Sequence, residues 1–165
     1  MALRKILTQG DPVLGKVCRP VEKFDQRLHF LIDDLKETLE KSGGVGLAAP
    51  QVGILRRVVI VMDDEDQMIE LVNPQIIREE GEQDGLEGCL SVPGMYGKVK
   101  RPYFVTVRAQ DRDGKFFEVS GEEMVARCFC HETEHLDGHL FVEHTDRLYT
   151  IEELEAMEEN GEEIQ

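Results

Sequence analysis

The sequence predicts a mixed fold of helices and strands in a single domain over residues 1–165. Three observations carry that expectation. Apolar residues recur at helical spacing in two long stretches, Asp25 to Ser42 and Gly121 to Gly138. Between them the chain is rich in extended apolar runs bounded by turn signals. No repeat or low-complexity linker divides the chain, and 165 residues are enough to bury one core.

Residues 3–8 read as a short strand or an irregular lead-in, and Gly10-Asp11-Pro12 as a turn. Asp25 is the expected N-cap of the first helix, whose apolar stripe is Leu28, Leu31, Ile32, Leu35 and Leu39. Glycines at 43 and 44 suit its end. The stretch Gly44 to Gly53 is small, apolar and glycine-rich. Its spacing does not fit a phosphate loop, and by itself it reads as a structural turn or a place of close backbone approach. Arg57 to Met62 is a buried strand. Ile69 to Ile77 is extended, with Asn73-Pro74 marking an edge or a bend. Asp63 to Asp66 and Arg78 to Gly85 read as solvated, charged connections. Tyr103 to Ala109 and Phe116 to Val119, joined by Asp111-Arg112-Asp113-Gly114, form a hairpin. Gly121-Glu122-Glu123 opens the second helix and Gly138 closes it. Leu140-Phe141-Val142 is expected to be a short strand. Residues 150–165 form a short acidic helix, with Ile151, Leu154 and Met157 as its stripe, and a frayed tail.

Composition excludes several classes of function. A formal charge of −15 argues against nucleic acid and anionic membrane surfaces as partners. No apolar stretch is long enough to span a bilayer, and no apolar segment follows the N-terminus as in a secretory signal. A cytoplasmic location is the expectation. There the four cysteines, Cys18, Cys89, Cys128 and Cys130, do not form a disulfide framework. Cys128 and Cys130 stand two apart on a helix, a poor chelate, and read as buried small residues.

The chemistry centres on His131-Glu132-Thr133-Glu134-His135. Residues four apart lie one above the other on a helix, so His131 and His135 can aim two imidazoles at one metal ion. Glu132 is placed to take a proton from a water on that ion. A solvated helix face is the bland alternative, and two ligands do not complete a site. Cys89, in Glu87-Gly88-Cys89-Leu90-Ser91, supplies a third from another element and leaves one position open, the pattern of a catalytic rather than a structural site.

Gly44-Val45-Gly46-Leu47-Ala48-Ala49-Pro50-Gln51, Glu87-Gly88-Cys89-Leu90-Ser91 and His131-Glu132-Thr133-Glu134-His135 together resemble, in order and spacing, the three motifs of peptide deformylases. The resemblance covers about residues 3 to 145. It implies an α+β fold, with antiparallel sheets packed around a central metal-binding helix. It also implies removal of the N-formyl group from the formyl-methionine of nascent polypeptides. Cys89, His131 and His135 resemble the metal ligands, and Glu132 the general base and acid. Gln51 and the backbone N–H of Leu90 resemble the oxyanion donors. Gly46 resembles the position whose backbone binds the substrate main chain. Val45, Glu87 and residues of the metal helix resemble the methionine pocket. Arg101 resembles an arginine paired with Glu87. The resemblance further implies ferrous iron as the physiological metal, with zinc, nickel or cobalt able to replace it.

Three positions and one segment depart from the family pattern. Cys130 stands where Gln is usual, and Glu134 where Asp is frequent, which predicts altered hydrogen bonding around the ligands. Arg127, where the family tends to be apolar, is expected at the pocket rim with its stem packed and its charge in water. The acidic segment from Ile151, without Lys or Arg, argues against the ribosome contact that a basic C-terminal helix makes in some members. The alternative reading is a zinc metalloprotease of the His-Glu-x-x-His type. One protease class needs a third His at position 141, which is Phe141 here, and His139 and His144 miss the spacing. A downstream glutamate ligand keeps that alternative open. A closed structural zinc site would require Cys130 or His139 as a fourth ligand.

Overall fold

The computed structural model describes residues 2–165. Helix α1 (Gln26–Ser42) starts at Asp25, whose side chain accepts from the Leu28 N–H, and ends at Gly43 with φ of 75°. The strands are β1 (Gly46–Ala48), β2 (Val58–Met62), β3 (Met68–Glu80), β4 (Gln83–Cys89), β5 (Val92–Arg101), β6 (Phe104–Gln110), β7 (Phe116–Glu122) and β8 (Leu148–Thr150). Helices α2 (Met124–Leu136) and α3 (Ile151–Asn160) complete the chain. One antiparallel sheet has the order β1-β2-β3-β6-β7 and a smaller one the order β4-β5-β8. The architecture is α+β, as expected.

Strand β2 shows how the layers form. Val58 and Ile60 pack with the leucine stripe of α1, whereas Val59 and Val61 pack with Val125, Ala126, Phe129 and Leu136 of α2. A strand covered on both faces needs an unbroken apolar run, and Val-Val-Ile-Val supplies it. The small sheet carries its own cluster of Val92, Val99 and Phe141. Its strand β5 also meets α2, so that helix lies between the two sheets.

Several expectations are corrected. Asn73-Pro74 is a bend, not an edge, because β3 pairs with β2 on one side and β6 on the other. Asn73 adopts φ of 51° at a register shift, where the missing N–H of Pro74 breaks no ladder bond. Arg78 to Gly85 is mostly strand. β3 runs to Glu80 and β4 starts at Gln83, with Gly81 turning the chain at φ of 68°. Cross-strand pairing, which charge content does not reveal, decides those residues. Gly121 and Glu122 end β7, and the turn into α2 falls on Glu123 with φ of 56°. That conformation is tied down by Glu123 N–H donating to the Tyr103 carbonyl and by Gln83 Nε2 donating to the Glu123 carbonyl. Residues 140–142 form no strand; Phe141–His144 is a 3-10 turn whose Glu143 carboxylate accepts from the Leu140 N–H at 2.8 Å. β8 is too short to carry a period.

Two contacts bring remote segments to the site. Residues 2–8 form no strand, but Leu7 N–H donates to the Gln51 carbonyl and Gln9 N–H to the Ser91 carbonyl. Beyond α2, Gly138 has φ of 82°, and a Cβ there would lie 2.5 Å from the Gly15 carbonyl oxygen. Only glycine fits that turn. Among the described residues no helix is long and apolar enough to cross a membrane.

Candidate active site

The α2 stripe that buries Phe129 and Leu136 in the core leaves an adjacent face for His131 and His135. Their ring centroids lie 5.0 Å apart. Cys89 arrives from the end of β4, and its Sγ lies 3.4 Å from His135 Nε2. One ligand atom from each of Cys89, His131 and His135 falls within 4.8 Å of the others. Two atoms bound to one tetrahedral ion stand roughly 3.5 Å apart, so this trio is already spaced for a cation. Glu87 Oε1 takes His131 Nδ1 at 2.9 Å, which leaves Nε2 as the free nitrogen of that ring. Phe141 stacks against the same imidazole at 5.9 Å and holds its plane.

Electrostatics also favour a cation. Burial would lower His131, but contact with Cys89 and the charges of Glu132 and Glu87 raise it well above the usual histidine range. The surroundings therefore attract positive charge. Burial, reinforced by His131, holds His135 well below that range. Burial pushes Glu132 up to about 7, against the opposing pull of His131. Glu132 Oε1 and His135 Nδ1 are buried without a protein partner. For Glu132, whose carboxylate stands beside the trio, that state marks a place where something else binds, whereas His135 Nδ1 lies on the ring edge away from the Nε2 that faces Cys89.

Gln51 is buried on the 3-10 turn that follows β1. Its Oε1 accepts from Ala48 N–H at 2.9 Å, which fixes the amide orientation. Nε2 then points to Ser91 Oγ at 3.0 Å and toward Cys89 Sγ at 3.6 Å. Leu90 sits in the tight connection between β4 and β5, next to Cys89. Gly46, on β1, faces Glu132 directly. A Cβ built on Gly46 would collide with Glu132 Oε2 and lie 2.9 Å from its Cδ and Cγ. Gly46→Ala should therefore swing the carboxylate aside and lower kcat about 10–100-fold, the usual penalty for a misplacement of about 1 Å. Steady-state kinetics of parent and variant side by side check this.

A cavity of about 500 Å³ opens beside these groups, and Val45, Gly46, Glu87 and Arg127 all line it. Val45, Leu86 and Met124 form its exposed apolar rim. Arg127 does not reach water, contrary to the expectation from sequence. It is 4% exposed, and its Nη1 donates to Glu87 Oε2 at 2.8 Å and to the Val99 carbonyl at 2.9 Å. A buried carboxylate demands cations, and Glu87 draws this one inward. Arg101 completes the arrangement, donating from Nε to Glu87 Oε2 at 2.7 Å and from Nη2 to Oε1 at 2.9 Å. Burial would raise Glu87, but Arg101 and His131 outweigh it and hold the carboxyl at about 2.

Cys128 and Cys130 are buried, as expected. Glu134 takes Arg101 Nη1 at 2.8 Å and His144 Nε2 at 2.8 Å, one oxygen for each. Sequence reasoning gave no site role to Ser91, Phe141 or His144. Ser91 had a faint signal, lying two residues beyond Cys89. The other two come from the 3-10 turn and had none.

A family model described as polypeptide deformylase matches residues 3–150. The chain belongs to the polypeptide deformylase family. A peptide deformylase of Agathobacter rectalis is 55% identical over 143 residues, covering 87% of this chain and 90% of that protein. The crystal structure of a peptide deformylase from Legionella pneumophila superposes with a TM-score of 0.83 at 41% identity, covering 96% of this chain and 97% of that one. A class I type b peptide deformylase from Acinetobacter baumannii, bound to Met-Ala-Ser, superposes with a TM-score of 0.81 at 34% identity, covering 86% of this chain and 98% of that one. The deformylase family thus spans the small sheet, α2 and the five-stranded sheet alike.

Proposed function

We propose that this deformylase hydrolyses the N-formyl amide of formyl-methionine at the start of newly made polypeptides and releases formate. The observation that carries the reading is the convergence of Cys89 with His131 and His135 beside Glu132 and an apolar-rimmed cavity. Cys89, His131 and His135 would hold one divalent metal on the helix α2, with ferrous iron as the physiological ion and zinc, nickel or cobalt as replacements. When bound, that ion supplies Lewis acidity to the formyl carbonyl and to a water molecule. The rest is done by the chain. Glu132 accepts the proton of the attacking water and returns a proton to the leaving amine. Gln51 Nε2 and the Leu90 N–H face the oxygen on which negative charge develops; each such donor contributes about 10²–10³ in rate. Gly46 offers its backbone to the peptide. Val45, Glu87 and Arg127 form the wall of the methionine pocket, Arg127 through its aliphatic stem.

Residues 1–165 act as one catalytic domain in the cytoplasm, with 150–165 as an acidic helix and tail. Helix α3 and the tail carry no Lys or Arg, which weighs against docking on ribosomal RNA. The Met-Ala-Ser complex of the Acinetobacter baumannii relative supports a Met-initiated peptide as the product that leaves the site. The test is anaerobic purification with metal analysis, followed by incubation with formyl-Met-Ala-Ser and with the unformylated peptide. Formate release from the first alone is the expected result. Cleavage of an internal peptide bond in the second would sink the reading in favour of a metalloprotease.

A further inference from the structure

We propose that Arg127 is a positioning residue, which sets the spacing between the Cys89-bearing strand and the two histidines by clamping Glu87. The inference rests on Cys89, His131 and His135 being the metal ligands. Arg127 and His131 stand one turn apart on α2, so their side chains leave the helix on one face. They grip opposite oxygens of one carboxylate: Arg127 Nη1 holds Glu87 Oε2 at 2.8 Å and His131 Nδ1 holds Oε1 at 2.9 Å. Two attachments from one helix face stop the carboxylate from rotating. The direction of Oε1, and with it the plane of the His131 ring, follows.

Arg101 cannot replace this contact. It lies on β5, the hairpin partner of β4, and its two bonds to Glu87 tie the hairpin to itself. Among the described residues its hydrogen bond to α2 goes to Glu134, whose side chain is 27% exposed. Arg127 leaves α2 and ends on both hairpin strands, at Glu87 on β4 and at the Val99 carbonyl on β5, 2.9 Å away. Gly85 gives the guanidinium its room, since a Cβ there would lie 3.1 Å from Nη2. Glu87 stands two residues before Cys89, so whatever fixes Glu87 against α2 also fixes the thiol against His131 and His135. The Arg127 side chain is 5% exposed and its charge is already matched by Glu87, so it is not free to bind a substrate carboxylate.

The test uses Arg127→Met, which keeps most of the volume, and Arg127→Lys, which keeps the charge but not the fork. Each is loaded with Co²⁺ beside the parent. Chelator competition, visible absorption, thermal unfolding and kinetics on formyl-Met-Ala-Ser are measured. For Arg127→Met the expected result is a 10–100-fold weaker metal affinity, roughly the cost of losing a partner that orients ligands. The Co²⁺ bands shift, and kcat falls while KM changes less than about threefold. Arg127→Lys recovers part of each loss. A raised KM with parental affinity and bands would overturn the proposal and leave Arg127 as pocket wall alone. Lowered thermal stability alone, with parental affinity and bands, would overturn it in favour of plain packing. If Arg127→Met fails to fold, parental affinity and bands in Arg127→Lys overturn it equally. Absence of thiolate-to-Co²⁺ absorption in the parent would refute the ligand set itself, a failure distinct from the others.

Discussion

Glu132→Gln is expected to lower kcat for formyl-Met-Ala hydrolysis by about 10²–10⁴-fold, the range lost when a positioned proton carrier is removed. Metal content should stay at the parental level, because Glu132 offers no atom to the Cys89, His131 and His135 cluster. Thermal stability should hold or rise. The parent buries the Glu132 carboxylate with Oε1 unpartnered, and burial raises the group to about 7 from an ordinary 4.5. A carboxyl whose folded pKa is raised opposes folding above its unfolded pKa, so a neutral isostere removes a cost at neutral pH. A buried, unpartnered functional group of this kind trades stability for activity. Glu132→Ala gives a second measure without the amide. Metal analysis, thermal unfolding and kinetics on one preparation decide the matter. Unchanged turnover would refute the proton-carrying role, and lost metal would mean that Glu132 shapes the ligand set instead.

Much of the fold is legible because period and burial coincide. The stripe of α1 and the run Val58 to Met62 each read correctly, since one face or both faces meet a core. Legibility fails where pairing or side-chain hydrogen bonds decide. Residues 78–85 look like a charged turn yet are mostly strand, and residues 140–142 look like a strand yet begin a 3-10 turn. The site divides in the same way. Cys89, His131 and His135 could be gathered because metal binding imposes ligand number and spacing. Arg127 could not be placed. Its direction depends on the buried charge of Glu87, from a strand some forty residues away in sequence, and nothing local to Arg127 records that demand.

Cys89→Ala should empty the site of metal. One thiolate among three ligands contributes roughly a third of a binding free energy of about 10–16 kcal/mol, so affinity should fall by about 10²–10⁴-fold. Deformylation should disappear with it. The other cysteines cannot substitute, because the thiolate is the ligand and burial keeps them protonated. Burial pushes Cys18 up to about 11 against the pull of Arg57, and Cys130 up to about 12 against that of Arg101. Cys128, also raised mainly by burial and further by Glu132, reaches about 12. Cys89 alone among the four is only partly buried, and it alone lies within reach of both histidines. Cys89→Ser, with a harder and far less acidic donor, should hold metal only weakly. Cys18→Ser should keep one metal per chain and full turnover, since Cys18 lies in the core against α2 and the five-stranded sheet. Metal analysis after dialysis against a chelator reads all three variants. One tightly held ion per chain in Cys89→Ala would show that the two histidines have found another third partner. The oxidisable thiolate would then have no part in the chemistry. Loss of the ion from the Cys89 variants, with Cys18→Ser retaining it, makes Cys89 the residue that turns two histidines on one helix face into a metal site.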